Sequence, residues 1–416
     1  MNAAGGTEAA AAVPGPVPLR RNTGFRMLWV GQLLSGTGSE IGLLAYPLLI
    51  LALTGSAVLA GVTGTARSAA LLVLQLPAGA LADRLDQRLT MIACDVMRTV
   101  LLALFGILVA AHLVSWPAVL AVSLVDGGAG AIFDPAAAAA LPAIVPDGQL
   151  EPAWAATEAR TYAAGLVGPA FGGMLFGLSR AVPFLADAVS YAVSFVTVSR
   201  IGGEFRPRNH VRKPLWREVA DGLHLVWQVP ILRAVVITAP LVNFAFTGVT
   251  FTITLALRQH GSPPAVIGLV QAAVAAGGLL GAVAAPLLQG RLRLGTLVLV
   301  IDLTGALLLG AAALLIPSPL VAAPVALALL LAPTVNAALF AVMLRSAPEG
   351  MRGRVVNTVV MLATALAALA PLTAGLLVQH VSGPWAVGAF AATMAVATGL
   401  CLVLPGLRRP ARQAEK

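Results

Sequence analysis

Twelve long apolar stretches, separated by glycine, proline and charge, leave this chain few ways to fold. They run at roughly 25–53, 57–82, 89–112, 116–141, 153–178 and 182–201, then 231–257, 264–289, 295–316, 319–345, 353–381 and 384–406. About 20 mainly apolar residues suffice to cross a bilayer as a helix, and each stretch meets that length. Helices are the spanning form that satisfies every backbone polar group internally. Only 10% of the 416 residues are charged, against about a quarter in a soluble domain. A water-soluble surface cannot be built from so few charges, so the expected fold is all-α, integral to the membrane, with twelve transmembrane helices.

Basic residues test that count independently, because Lys and Arg concentrate in cytoplasmic loops. With the N-terminus inside, 20 of the 26 Lys and Arg fall on inward tails and loops, and only Arg180 and Arg258 fall outside. The remaining four, Arg67, Arg98, Arg160 and Arg233, lie within helices. Losing or adding one helix scrambles this segregation. Both termini are therefore expected in the cytoplasm of a plasma-membrane protein. The net charge of +9 reads as topology information and not as a nucleic-acid face.

The organisation follows as a tail over 1–22, a six-helix bundle over 23–201, a linker over 202–230, a second bundle over 231–407 and a short tail over 408–416. The linker places Trp216, Val219, Leu223, Val226 and Trp227 on one face of an amphipathic helix lying along the surface. The halves also echo each other 202 residues apart, with Gly79 and Gln87 matching Gly281 and Gln289, and Pro169 and Gly173 matching Pro371 and Gly375. Duplicated transporters carry such repeats.

Several function classes fall away. The two lysines, Lys213 and Lys416, follow no glycine-rich phosphate loop. The five histidines form no metalloprotease or nucleophile–base spacing, and Cys94 and Cys401 form no metal or disulfide pattern. No enzyme, metal or cofactor is expected.

Three motifs remain. GALADRLDQR, residues 79–88, is a charged cluster confined to a short turn. GLVGPAFGG, residues 165–173, combines Gly165, Gly168, Pro169, Gly172 and Gly173, of which Gly168 and Gly172 form a close-packing GxxxG pair. Pro169 removes a backbone hydrogen bond and permits a bend. Asp95 and Arg98 stand three apart on the third helix, where side chains share a face. A topology-setting turn accounts for the arginines of the first motif but not for Gly79 with Asp83; bare helix packing accounts equally well for the second.

Together with FRMLWVGQLLSG near the start and RGRVVNTVVMLATALA at the eleventh helix, these motifs resemble the major facilitator superfamily over essentially the whole chain, most of all its drug, macrolide and siderophore exporters. The resemblance implies two pseudo-symmetric six-helix bundles and alternating access. It makes Gly79, Asp83, Arg84 and Arg88 a cytoplasmic gating loop, with Asp83 facing the N-terminus of the eleventh helix, where a carboxylate gains roughly 0.3 to 2 kcal/mol. Asp95 and Arg98 join that network or form an isolated pair. The loop departs from the family pattern at Asp86 and Gln87, and the fourth-helix arginine of many proton-coupled exporters is replaced by Asp126.

Ionisable groups at mid-membrane are functional candidates by default. Glu40, Arg67 and Asp126 each lie about 15 to 22 Å inside their helices at 1.5 Å per residue. They are expected to carry proton coupling, Glu40 or Asp126 taking the proton and Arg67 balancing charge; a buried trio that never titrates is the alternative. Asp187 and Asp302, nearer helix ends, rank lower. The expected partners are a lipophilic small molecule, protons and membrane lipid, and the expected state is a monomer. An importer or facilitator of a small metabolite, or a sensor that retains the fold, stays open as a second reading.

Overall fold

The structure, a computed structural model, describes residues 18–82, 85–202, 223–288, 294–346 and 352–404. Among the described residues there are twelve apolar spans and no strand. The first six are α1 Thr23–Thr54, α2 Ala57–Ala82, α3 Gln87–Ala110, α4 Trp116–Ile144, α5 Leu150–Leu178 and α6 Val182–Ser199. The second six open with α7 Pro230–Gln259, α8 Pro264–Leu288 and α9 Leu294–Leu315. Span α10 comprises Ala322–Leu330 and Ala332–Ser346, α11 comprises Arg352–Ala365 and Ala370–His380, and α12 is Gly383–Val403.

Local chemistry sets the ends. Asn22 accepts from Phe25 N–H and Asp86 from Leu89 N–H, so α1 and α3 start on side-chain caps. Gly55 and Gly261 close α1 and α7 with φ of 67° and 82°, backbone that a side chain would strain. Within α11 the chain tightens to a 3-10 turn over Leu366–Leu369 just before Pro371, which cannot donate to the preceding turn.

Helices α1–α6 pack into one bundle and α7–α12 into another, with α5 crossing α8 and α2 crossing α11 between them. Both crossings lie toward the end of the molecule where α1 turns into α2. There a single apolar core includes Leu48, Phe105 and Phe184 from the first bundle and Ile253, Leu309 and Phe390 from the second. Toward the opposite end, which carries the described chain ends, the core divides. Phe25, Met91, Phe133 and Leu141 form one cluster, and Leu232, Met343, Val355 and Val359 another.

At the crossings backbone meets backbone. A Cβ on Gly173 would stand 2.3 Å from Pro264 O, and one on Gly268 would stand 2.3 Å from Pro169 O. In the mirrored crossing a Cβ on Gly375 would stand 2.4 Å from Ala57 O, and one on Gly61 would stand 2.4 Å from Pro371 O. Pro169 and Gly173 thus correspond to Pro371 and Gly375, 202 residues on. Ala57 and Gly61 correspond to Pro264 and Gly268, which is 207 residues on. The 202-residue register therefore holds for α5 and α11 but not for α2 and α8, where Gly281 falls opposite Leu74 and not Gly79.

Of the linker helix, residues 203–222 lie outside the described residues. Residues 223–228 are helical, and Val226 is buried in the cluster with Leu232, Met343 and Val355, so this turn docks on the second bundle. Trp227 stays exposed.

Candidate functional site: a cavity between the bundles

The bundles enclose a cavity of about 530 Å³. Glu40, Tyr46 and Pro47 of α1, Thr63, Gly64 and Arg67 of α2, and Gly165 and Pro169 of α5 form one wall. Thr247, Thr250, Phe251 and Thr254 of α7, Gln271 and Val274 of α8, and Pro371 of α11 form the other. The wall is mainly apolar, but hydroxyls are more frequent than an Ala-, Leu- and Val-rich lining implies.

The charged residues that line the cavity, Glu40 and Arg67, both belong to the first bundle. Arg98 Nε of α3 donates to Asp126 Oδ1 of α4 at 2.9 Å. Arg67 Nη2 of α2 stands 3.7 Å from Asp126 Oδ2. One carboxylate thus bridges two guanidiniums from neighbouring helices, the arrangement that makes a buried charge tolerable. Arg98 also lies over the Tyr191 ring of α6, 4.1 Å from its centroid, and the Tyr191 hydroxyl is 2.7 Å from Ser39 Oγ of α1. The cluster therefore ties α1, α2, α3, α4 and α6 together.

This revises the pairing read from spacing. Arg98 lies eleven residues into α3 and gives its hydrogen bond to Asp126 across the bundle, not to Asp95 three residues away. No ion pair joins Asp95 and Arg98 among the described residues. Asp95 is fully buried beside Ser194 of α6. Although residues three apart on one helix share a face, the carboxylate that stands within 2.9 Å of Nε belongs to the neighbouring helix.

Glu40 lies on the cavity wall with no ion-pair partner within 4 Å among the described residues, and Arg67 is the cation whose field acts on it. Asp187 is more deeply placed than its position near an end of α6 suggests. It is buried against α1, where a Cβ on Gly38 would stand 2.2 Å from its Oδ1, and Ser190 Oγ lies 3.2 Å from that oxygen. Asp302 is buried in the second bundle, accepting from Cys401 Sγ at 3.5 Å.

The glycine–proline motif of α5 divides between two neighbours. A Cβ on Gly168 would stand 2.3 Å from Glu40 Cβ, and one on Gly172 would stand 3.2 Å from Ile41 Cα, so this face lies on α1. Pro169 O and Gly173 face α8. Gly165 opens on the cavity with nothing within 4 Å of its Cβ position.

Of the 79–88 loop, Asp83 and Arg84 lie outside the described residues, and Gly79 is described only as backbone of α2. Arg88 Nη2 donates to Ser199 O at the end of α6. Asp86, which replaces the family's usual glycine, is the N-cap of α3. An Asp just before an apolar helical run signals such a cap.

The profile of the Major Facilitator Superfamily matches residues 28–366. The chain belongs to that superfamily. It is 28% identical over 364 residues to the multidrug efflux pump Tap of Mycolicibacterium fortuitum, covering 84% of this chain and 88% of the relative. The Mycobacterium tuberculosis (strain ATCC 25618 / H37Rv) protein of the same name is 28% identical over 413 residues, covering 93% and 94%. Among solved structures, an inward-facing bacterial homologue of the iron transporter ferroportin superposes with a TM-score of 0.72 at 16% identity, covering 94% of this chain and all of that one. A bacterial homologue of the human lysosomal transporter Spinster, inward-facing and occupied, gives 0.71 at 13% identity, covering 94% and 97%. At such identities these structures establish the fold alone. The protein is a multi-pass membrane transporter of this superfamily.

Proposed function

We propose that this transporter exports lipophilic small molecules from a bacterial cytoplasm in exchange for protons. The observation that carries this reading is a largely apolar interbundle cavity with an unpaired carboxylate, Glu40, on its wall beside a fixed charge cluster. Relatives named multidrug efflux pumps support the direction and the breadth of substrate.

In this scheme Glu40 is the proton carrier. It reaches the cavity and lacks a pairing cation, while Asp126 is held by Arg98 and Arg67. Asp126 keeps Arg67 in place, and Arg67 balances Glu40 when the latter ionises. The segregation of basic residues supports cytoplasmic termini. The end where α1 meets α2 then faces outward, and the cavity belongs to a cytoplasm-facing state. Asp83 and Arg84 would latch the cytoplasmic ends in the opposite state, against the N-terminus of α11. The working unit is a monomer in lipid.

Reconstituted proteoliposomes test the scheme. Glu40→Gln is expected to abolish proton flux driven by a lipophilic substrate while leaving substrate binding in place, and Asp126→Asn is expected to weaken both. Undiminished coupling in both variants refutes the proton role.

A further inference from the structure

On the second bundle's wall the side chain of Gln271 is held as an acceptor. Gln271 Nε2 donates to Thr250 O and to Thr254 Oγ1, each at 2.7 Å, which uses both amide hydrogens. The orientation of the amide is forced, because a backbone carbonyl can only accept and must face nitrogen. Gln271 Oε1 therefore points away from α7, carries two lone pairs, and has no partner among the described residues on a side chain that lines the cavity.

Four of the lining hydroxyls add no donor to compensate, while the Thr247 hydroxyl and the Arg67 guanidinium on the same lining can still donate. Thr250 Oγ1 donates to Phe246 O at 3.0 Å, Thr254 Oγ1 to Thr250 O at 3.3 Å, Thr63 Oγ1 to Leu59 O at 3.0 Å and Ser123 Oγ to Leu120 O at 2.9 Å. Each spends its proton on its own helix, a common choice for hydroxyls inside helices. Across the cavity the Glu40 carboxylate is a further acceptor. An acceptor facing an apolar space loses free energy unless something donates to it.

We propose that Gln271 is a specificity-determining residue that accepts a hydrogen bond from the cargo, so that the preferred substrates are apolar molecules bearing a free N–H or O–H donor. The inference rests on the export reading and deepens it by naming a substrate class. Asparagine at this position is too short to hold the Thr250 and Thr254 contacts while projecting Oε1. Methionine keeps the length and removes the acceptor.

The test uses two dyes of equal charge and similar body: a rhodamine methyl ester with free amino groups, and its N-tetramethylated counterpart. Wild-type protein in proteoliposomes is expected to export the amino dye with the lower apparent KM. Gln271→Met is expected to raise that KM about tenfold, equivalent to about 1.4 kcal/mol, and to leave the tetramethyl dye unchanged. Equal losses for both dyes assign Gln271 only to holding α8 on α7 and overturn the inference, as does an unchanged KM for both.

Should Gln271→Met fail to fold, binding of the two dyes to purified wild-type protein decides the matter. Tighter binding of the amino dye supports the donor requirement, and equal binding overturns it. Wild-type protein that handles neither dye removes the export reading itself, and the inference with it.

Discussion

Asp126 divides its two oxygens between guanidiniums, at 2.9 Å to Arg98 and 3.7 Å to Arg67, so removing different members of this trio leaves different charges stranded. Asp126→Leu strands two cations and is expected to destabilise the first bundle by about 3–5 kcal/mol, the cost of breaking a buried pair. Arg98→Met leaves Asp126 with Arg67 close enough to pair, and a smaller loss is expected. Denaturant titration of the purified protein checks the order; a larger loss for Arg98→Met would make Arg98 the organising charge. Counting residues from helix ends located Glu40, Arg67 and Asp126 in the sequence. It missed the role of Arg98 and the depth of Asp187, since depth along one helix does not reveal which neighbour a side chain meets. The signal for Asp187 lay on another helix, where Gly38 and Gly42 of α1 make room for it.

Among elements, α5 is the one whose two faces do separate tasks, and its glycines are separable by substitution. Gly168→Ala brings a Cβ to 2.3 Å from Glu40 Cβ, which cannot swing aside as the end of a flexible side chain would. Overpacking of this kind costs typically 1–3 kcal/mol. Gly165→Ala, with open space at the Cβ, is expected to be tolerated and even to stabilise the helix by up to about 1 kcal/mol. Thermal unfolding followed by fluorescence-detected size exclusion separates the two variants, and equal midpoints would refute the packing assignment. The elements themselves were legible because twelve apolar runs of spanning length admit little else. The interruption within α10 at Leu331 had a signal in Pro333, whose missing N–H and ring disturb the preceding turn, yet the apolar run over 319–345 read as one helix. The repeat register was legible only in part. Pro169 with Pro371 and Gly173 with Gly375 mark true equivalents, but glycine and alanine are so common in this chain that a second match at the same spacing, Gly79 with Gly281, arose between positions that are not equivalent.

For the whole molecule, alternating access requires that the contacts joining the bundles at one end be strong enough to hold and weak enough to break. The interbundle hydrogen bonds among the described residues all lie where α1 meets α2. Gln379 Oε1 of α11 accepts from Ser56 Oγ and from Val58 N–H, each at 2.9 Å, and Thr65 Oγ1 accepts from Leu372 N–H at 3.0 Å. Val58 and Leu372 are first-turn donors that their own helices cannot satisfy, so each bundle completes a helix terminus of the other. Gln379→Leu removes two of the three bonds. At about 0.5–1.5 kcal/mol net for each, it is expected to shift the equilibrium toward opening at this end by one to two orders of magnitude. Gly173→Ala acts by a different route, because its Cβ would meet Pro264 O at 2.3 Å and Gly268 Cα at 2.9 Å, both of them backbone. Spin labels on Leu113 of the first bundle and Leu320 of the second, both exposed and near this end, report the separation by pulsed electron resonance. Each variant is expected to populate a longer distance, and the two combined to populate it more than either alone. If the distance distribution of Gln379→Leu matches that of the wild type, Gln379 is a helix cap alone and the glycine crossings hold the bundles without it.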